Sequence, residues 1–462
     1  MDRREFVTKS ASLAGYFSLP GRLRRNFSSR EIFLAPTPSA SSGQALRTMR
    51  PSVDWGTQAS TSGRSYDYEL CYIPCYGQSL SLGAGGLPAV SLSQRFDSLM
   101  FAGGTIARGY SSNLTQDYGS LVPLVENNNQ PNFDTSLIIY PGETPLSGAF
   151  EAIKELMESQ DGLTPSSITY KLLGSCPGLG GVGIADLSRG TAPYERLLYE
   201  VSAAKTLAAQ LGLTFGVPAL FWLQGESDAC CLSQAQYYAD LQALFQSLNS
   251  DVLAVTDQSK DVQFLMYQTA YQGSFPIACA QYELSMAMAN VHIASPAYPF
   301  QTQGDYTHLT SLGYKWLGAY FGSAYKHVVV NGEAWHPLSP LSITASGTTI
   351  VIDFNNAGTA LVADSSFVTT TSPYRAAALG FYLTDASGNA LDINAQVRIT
   401  GAAQITITSP KAIAAGFTVG YGAGGGNIRD NYGEQYIFNG GGLQLPMHNW
   451  LTVFNYTFPA GV

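Results

Sequence analysis

The sequence predicts an α/β protein: a three-layer α/β/α domain built on a parallel sheet, followed by an antiparallel β-sandwich. Two patterns carry this expectation. From about Asp67 to Tyr325, short apolar runs alternate with amphipathic stretches, the pattern of parallel strands joined by crossover helices. After about Trp335, helical periodicity stops and short β-prone runs separated by turn residues take over. A chain of 462 residues suits two domains and a leader. The expected division is 1–42, 43–335 and 336–462.

Leu70 to Pro74 reads as a buried strand leading into Gly77, and Ser136 to Tyr140 as a second apolar run. Thr144 to Ser159 carries Phe150, Ile153 and Met157 at helical spacing. Ile168 to Leu173 is a third strand. Tyr194 to Leu211 reads as a helix, with Leu197, Leu198, Val201, Ala204 and Ala208 on one face and Gly212 as its stop. Val217 to Leu223 is fully apolar, which suggests burial on both faces of the sheet. Gln234 to Leu248 is helical, Gln263 to Tyr267 is a strand, and Leu309 to Tyr325 closes the series as a helix. In the second region, Ile350 to Phe354, Ala377 to Leu383, Ile405 to Ile407 and Phe417 to Tyr421 are the β-prone runs. Ligands of open parallel sheets bind beyond the carboxyl ends of the strands. The ligand-facing edge is therefore expected at Gly77 to Ser79, Gly142 to Thr144 and Gln224 to Asp228.

Composition narrows the function. Hydrophobic residues make up 45% of the chain, enough for a sizeable core. Charged residues make up only 12%, and Gly, Ser, Thr, Asn and Tyr take their place. That mixture suits a loop-rich exported protein with a neutral polar ligand. The net charge is −9, with no basic stripe in the mature region. Nucleic acid as a partner is excluded on that ground, because its binding depends on Lys and Arg. No stretch approaches the ~20 apolar residues of a membrane span. At the start of the chain, Arg3-Arg4-Glu5-Phe6-Val7 resembles a twin-arginine export signal, followed by an apolar run from Ala11 to Leu19. Export to the periplasm or medium is expected. The six cysteines are Cys71, Cys75, Cys176, Cys230, Cys231 and Cys279. None forms a CxxC pair, so zinc is not expected. Disulfides and small buried thiols both remain open, and so does the connectivity.

Three segments could carry chemistry. Tyr76-Gly77-Gln78-Ser79-Leu80 follows a strand, where flexible Gly can present a serine hydroxyl in a cleft; the hydroxyl needs a base to become a nucleophile. Gly304-Asp305-Tyr306-Thr307-His308 puts an acid three residues before a histidine, so that the carboxylate can fold back and fix the imidazole. An Asp–His pair that merely caps the following helix is the plainer reading of that spacing. His336, with Glu333 before it, ranks below His308 because it falls past the last strand–helix unit. In Trp222-Leu223-Gln224-Gly225-Glu226-Ser227-Asp228, the Gln224 amide stands at a strand end, able to donate to a developing oxyanion. Gly181, within Gly178-Leu179-Gly180-Gly181-Val182-Gly183-Ile184, offers a backbone N–H for the same purpose.

In this order the motifs resemble the SGNH hydrolases, and more narrowly the branch of sialate O-acetylesterases and carbohydrate esterase family 6. Leu121 to Glu126 and Gly142-Glu143-Thr144-Pro145 also resemble segments of that branch, and Gly380 to Asp430 resembles the β-rich region attached to some of its members. The resemblance implies a flavodoxin-like fold and a serine esterase that removes acyl groups, chiefly acetyl, from carbohydrate without metal or cofactor. It implies Ser79 as nucleophile, His308 as base and Asp305 as its orienting acid. Ser79, Gly181 and Gln224 would form the oxyanion hole, with Gln78 and Glu226 positioning the cleft. Leu80 stands where Asn often follows the serine, and Gly183 where Ser often sits. Two alternatives stand beside it: a catalytically silent carbohydrate-binding protein, and a glycosidase using Glu226 and Asp228 as acid and base. The oligomeric state is not legible.

Overall fold

The computed structural model describes residues 67–106, 118–126, 142–270, 273–355, 360–366, 378–423, 425–434 and 437–460. The expected leader, the Ser136–Tyr140 run and Ala377 lie outside them.

The first domain is a three-layer α/β/α sandwich. Its strands are β1 (Leu70–Gly77), β2 (Leu99–Phe101), β3 (Leu121–Pro123), β4 (Lys171–Ser175), β5 (Phe215–Gly216), β6 (Ala219–Leu223), β7 (Gln263–Gln268) and β8 (Val291–Pro296). They form one sheet in the order β3-β2-β4-β1-β6-β7-β8, with the short β5 pairing β1. Every pairing is parallel except β2–β3, so the sheet carries one antiparallel edge. The helices are α1 (Pro145–Asp161), α2 (Ala192–Gln210), α3 (Gln234–Thr256), α4 (Phe275–Ala287) and α5 (Ser311–Tyr325).

Alternation along β1 divides the core. Cys71, Ile73 and Cys75 pack under α1 and α5 with Phe150, Ile153, Leu317 and Phe321. Leu70, Tyr72 and Tyr76 pack on the opposite face with α2, α3 and α4, through Leu197, Val201, Phe245 and Leu284. The two-residue period of a strand produces this split. The helices begin where the sequence supplies caps. The Thr144 side chain accepts the Leu146 N–H before Pro145 opens α1, and the Thr310 side chain accepts the Gly313 N–H at the start of α5.

Several elements differ in extent from their sequence patterns. The strand expected over Ile168–Leu173 is displaced to Lys171–Ser175, because Pro165–Ser167 forms a 3-10 turn ahead of it. The helix expected to end near Leu248 continues to Thr256 and stops at Asp257 in the left-handed region. Helix α4 has no counterpart among the expected elements. Its residues are apolar nearly all round and read as a helix only once packed between sheet and β-rich region.

The second region consists of antiparallel sheets, including one built from 340–346, 349–354, 397–401 and 404–408 and another from 381–384, 390–391, 418–421 and 454–457. Ile350, Ile352, Ile405 and Ile407 of the first share one core with Phe381, Leu383, Val419 and Phe454 of the second, as in a sandwich. Its last stretch returns to the first domain. Phe438, Leu445, Met447 and Trp450 are buried in the α1/α5 core. The Gln268 side chain makes two hydrogen bonds to the Val453 backbone, 2.7 Å to each polar atom.

Candidate active site

The strand order reverses at β1: β4 lies on one side of it and β6 on the other. The segments leaving the carboxyl ends of β1, β4 and β6 therefore lie side by side, where such sheets are expected to bind ligands. Gly77 ends β1 with φ +147°, and a Cβ there would stand 2.0 Å from the Leu223 carbonyl oxygen of β6. Only glycine permits this approach. The Gln78 N–H then donates to that same carbonyl at 2.9 Å, and a short 3-10 turn, Ser79–Leu82, begins at the serine.

Ser79 Oγ lies 2.9 Å from His308 Nε2, across 229 residues of sequence. His308 Nδ1 lies 2.6 Å from Asp305 Oδ2. The other Asp305 oxygen accepts the Thr307 and His308 amides, both at 2.9 Å. One carboxylate oxygen thus closes the turn while the other fixes the imidazole. The turn is strained: Tyr306 takes φ +59°, a region bulky residues avoid. Partial burial pushes the Asp305 carboxyl up, but the hydrogen bonds from His308 and the two amides outweigh it and hold its pKa below the ordinary value. The Asp305 side chain is still 45% exposed and that of His308 only 10%.

Gln224 is fully buried at the end of β6. Tyr237 O–H donates to its Oε1 at 2.8 Å, which turns the Nε2 end the other way. That nitrogen donates to Asp228 Oδ2 at 2.5 Å, with Val182 O at 3.5 Å as its other neighbour. The second contact is at the limit of a hydrogen bond. Gly181 is exposed in the loop after β4 with φ +73°, and a Cβ there would meet open space. The Leu179 N–H ties that loop to Gly77 O at 3.0 Å. Gln78 is buried, and its Oε1 accepts the Ser227 N–H at 3.2 Å. It links the serine turn to the segment after Gln224.

Glu226 and Asp228 point to separate tasks. Glu226 Oε1 accepts from Tyr267 and Thr269 hydroxyls, while its Oε2 is buried with no hydrogen-bond partner among the described residues. Burial pushes its carboxyl up. Asp228 is engaged with Gln224 and with the Ile184 N–H at 2.9 Å. The departure at Gly183 has a local cause: a Cβ there would stand 2.6 Å from Asp228 Oδ1.

The structure brings together Ser79, His308 and Asp305, and places Gln224, Gln78 and Glu226 around them. Sequence patterns missed Tyr237, Tyr267, Thr269 and Gln281. The last donates from Nε2 to Gln224 O and accepts the Thr269 N–H. Each lies on a different element from the group it holds, and its residue type is ordinary for a core. Cys230 and Cys231 are joined by a disulfide in the segment after β6, while Cys71, Cys75, Cys176 and Cys279 are free and buried.

Residues 175–327 match the family model described as carbohydrate esterase, sialic acid-specific acetylesterase. Over these residues the chain is similar to that esterase family. Its members are carboxylic ester hydrolases acting on acetylated carbohydrate. The matched span of the esterase contains Gly181, Gln224, Asp305 and His308 but not Ser79, so the 2.9 Å contact of Ser79 with His308 is an observation independent of the match. Among solved structures, a novel carbohydrate acetylesterase from Xanthomonas citri is 15% identical, with 84% of this chain and 80% of that chain covered and a TM-score of 0.52. This likeness is one of fold. A protein from Arabidopsis thaliana is 19% identical over 56% of this chain and 98% of its own, with a TM-score of 0.41. NanS is 16% identical over 52% and 80%, with a TM-score of 0.34. No curated protein matches the chain. Among the described residues, no helix of the esterase is long and apolar enough to cross a membrane.

Proposed function

We propose that the protein hydrolyses acetyl esters of carbohydrate through an acyl-serine intermediate on Ser79. The observation that carries this reading is the chain of contacts from Ser79 Oγ to His308 Nε2 at 2.9 Å and from His308 Nδ1 to Asp305 at 2.6 Å. His308 Nε2 takes the hydroxyl proton as Ser79 Oγ attacks the ester carbonyl. The oxyanion is held by the backbone N–H groups of Ser79 and Gly181 and by the Gln224 amide. On collapse the carbonyl–oxygen bond to the sugar breaks, and His308 returns the proton to the departing hydroxyl. Water, deprotonated by His308, then attacks the acyl-serine and releases acetate. Asp305 keeps the ring in the tautomer that leaves Nε2 facing the serine and stabilises the imidazolium.

Ser79→Ala is expected to lower kcat on an aryl acetate by ~10³-fold or more. Near-wild-type turnover in that variant contradicts the assignment. The acyl carrier is addressed by a panel of acetylated sialic acids, acetylated xylan and simple acetyl sugars; hydrolysis confined to non-sugar esters argues against carbohydrate. We also propose export. The Arg3-Arg4 segment supports it, and the Cys230–Cys231 disulfide fits an oxidising compartment. Retention of a tagged full-length protein in the cytoplasm argues against it.

A further inference from the structure

We infer that Asp228 is a positioning residue for this esterase: its carboxylate clamps the Gln224 amide to the loop that carries Gly181, so that the two oxyanion donors are held as one unit. The inference rests on the reading of Ser79, Gly181 and Gln224 given above.

Two hydrogen bonds meet at this carboxylate. Asp228 Oδ2 accepts from Gln224 Nε2 at 2.5 Å and from the Ile184 N–H at 2.9 Å. Asp228 Oδ1 stands in the space beside Gly183, where any side chain would collide with it. The residue is only 6% exposed. Gln224 belongs to the segment after β6, and Val182, Gly183 and Ile184 to the segment after β4. Nothing in the sheet connects these segments directly, because β1 lies between them. The carboxylate spans that gap.

Asp228 is itself fixed by its own turn. Its carbonyl oxygen accepts the Cys231 and Leu232 amides at 2.9 and 3.0 Å. Next to it, the Ser227 N–H donates to Gln78 Oε1. The same short turn therefore touches the residue before the serine, the amide donor and the glycine loop. From the opposite side, Tyr237 O–H holds Gln224 Oε1. With Tyr237 and Asp228 on its two ends, the amide has one orientation, and its second N–H has only the long 3.5 Å contact to Val182 O. Preorganised donors of this kind act on the charge that develops in the transition state. The burden of removing Asp228 should accordingly fall on kcat and not on KM.

The test uses purified full-length protein and an aryl acetate. Asp228→Ala removes the oxygen that accepts both N–H groups and is expected to lower kcat by about 10²-fold with KM within about threefold. Asp228→Asn keeps an oxygen that can accept both N–H groups and should recover all but about tenfold of the activity. Combining Asp228→Ala with Gln224→Ala distinguishes a residue that acts through the amide from one that merely stabilises the loop. If Asp228 acts through Gln224, the second substitution adds less than about threefold to the loss caused by the first. Fully multiplicative losses overturn the proposal, as does a rise in KM at unchanged kcat, or an Asp228→Asn variant as impaired as Asp228→Ala while still folded by circular dichroism. Failure of the underlying reading looks different: Ser79→Ala then retains turnover, whatever Asp228 does.

Discussion

His308 and His448 lie in the two regions of the molecule, and each sits beside an aspartate, yet their surroundings suit them to different ends. At His308 one ring nitrogen faces Asp305 and the other faces Ser79 Oγ, beyond the carboxyl end of β1. At His448, Nδ1 accepts the Gly433 N–H at 3.1 Å and lies 3.2 Å from the Arg429 guanidinium. Burial, reinforced by Arg429, pushes the His448 imidazole down to about 4, while Asp364 pulls weakly the other way. Arg429 in turn is held by Asp364 at 2.5 Å. A ring whose lone pair is occupied by backbone and guanidinium donors is a building part. A ring whose second nitrogen faces a hydroxyl is placed to act as a base. Residue type and a nearby acid do not separate the two cases; the partner of the second nitrogen does.

The largest expected difference follows from that contrast. His308→Ala is expected to lower kcat by about 10³- to 10⁴-fold, whereas His448→Ala leaves kcat per folded molecule within about twofold. Steady-state kinetics on the two variants checks this, and a comparable loss in both dissolves the distinction. Asp305→Asn should have a smaller effect than a fully buried orienting acid, because its side chain is 45% exposed and water can partly replace it. A loss of about 10- to 100-fold in kcat is expected.

The second region contributes through packing. Trp450 is 2% exposed and belongs to the α1/α5 core of the esterase domain. Trp450→Ala should cost about 3–5 kcal/mol of stability, read as a lower Tm, while kcat at a temperature where the variant is folded stays within about twofold. Loss of activity without loss of Tm would instead place this region in the chemistry.

The smallest expected effect concerns pH. Glu126 accepts hydrogen bonds from Thr144 and Ser147, but burial, together with the Glu143 carboxylate, pushes it up to about 8. The unfolded chain loses this proton near 4.5 and the folded one near 8. Between those values the folded state binds more protons, so stability falls as pH rises, and the penalty is complete above about 8. Glu126→Gln should therefore show a smaller drop in Tm between about pH 5 and pH 8 than the wild type. An unchanged drop contradicts the assignment.

The fold class was legible because long periodic segments carried it. Val217 to Leu223 could be read as a doubly buried strand, and the face of Leu197, Val201, Ala204 and Ala208 as a helix. Helix α4 was not legible, since apolar residues nearly all round it leave no period to read. Of the proposed site, Ser79, Asp305 and His308 were singled out by motif order, and they lie in hydrogen-bond contact. The Asp228 bridge was not, because it joins segments about forty residues apart, and Tyr237 was invisible among core aromatics. The junction between regions was misleading in another way. Composition changes near Trp335, whereas residues 438–453 pack back into the first domain.

The central claim, that Ser79 is the nucleophile activated by His308, is tested most directly by covalent labelling. Wild-type protein treated with a serine-directed phosphonate should gain one adduct, mapped by peptide mass spectrometry to Ser79, with parallel loss of aryl acetate hydrolysis. His308→Ala should label far more slowly. An adduct on another residue, or full inactivation without modification of Ser79, would contradict the assignment.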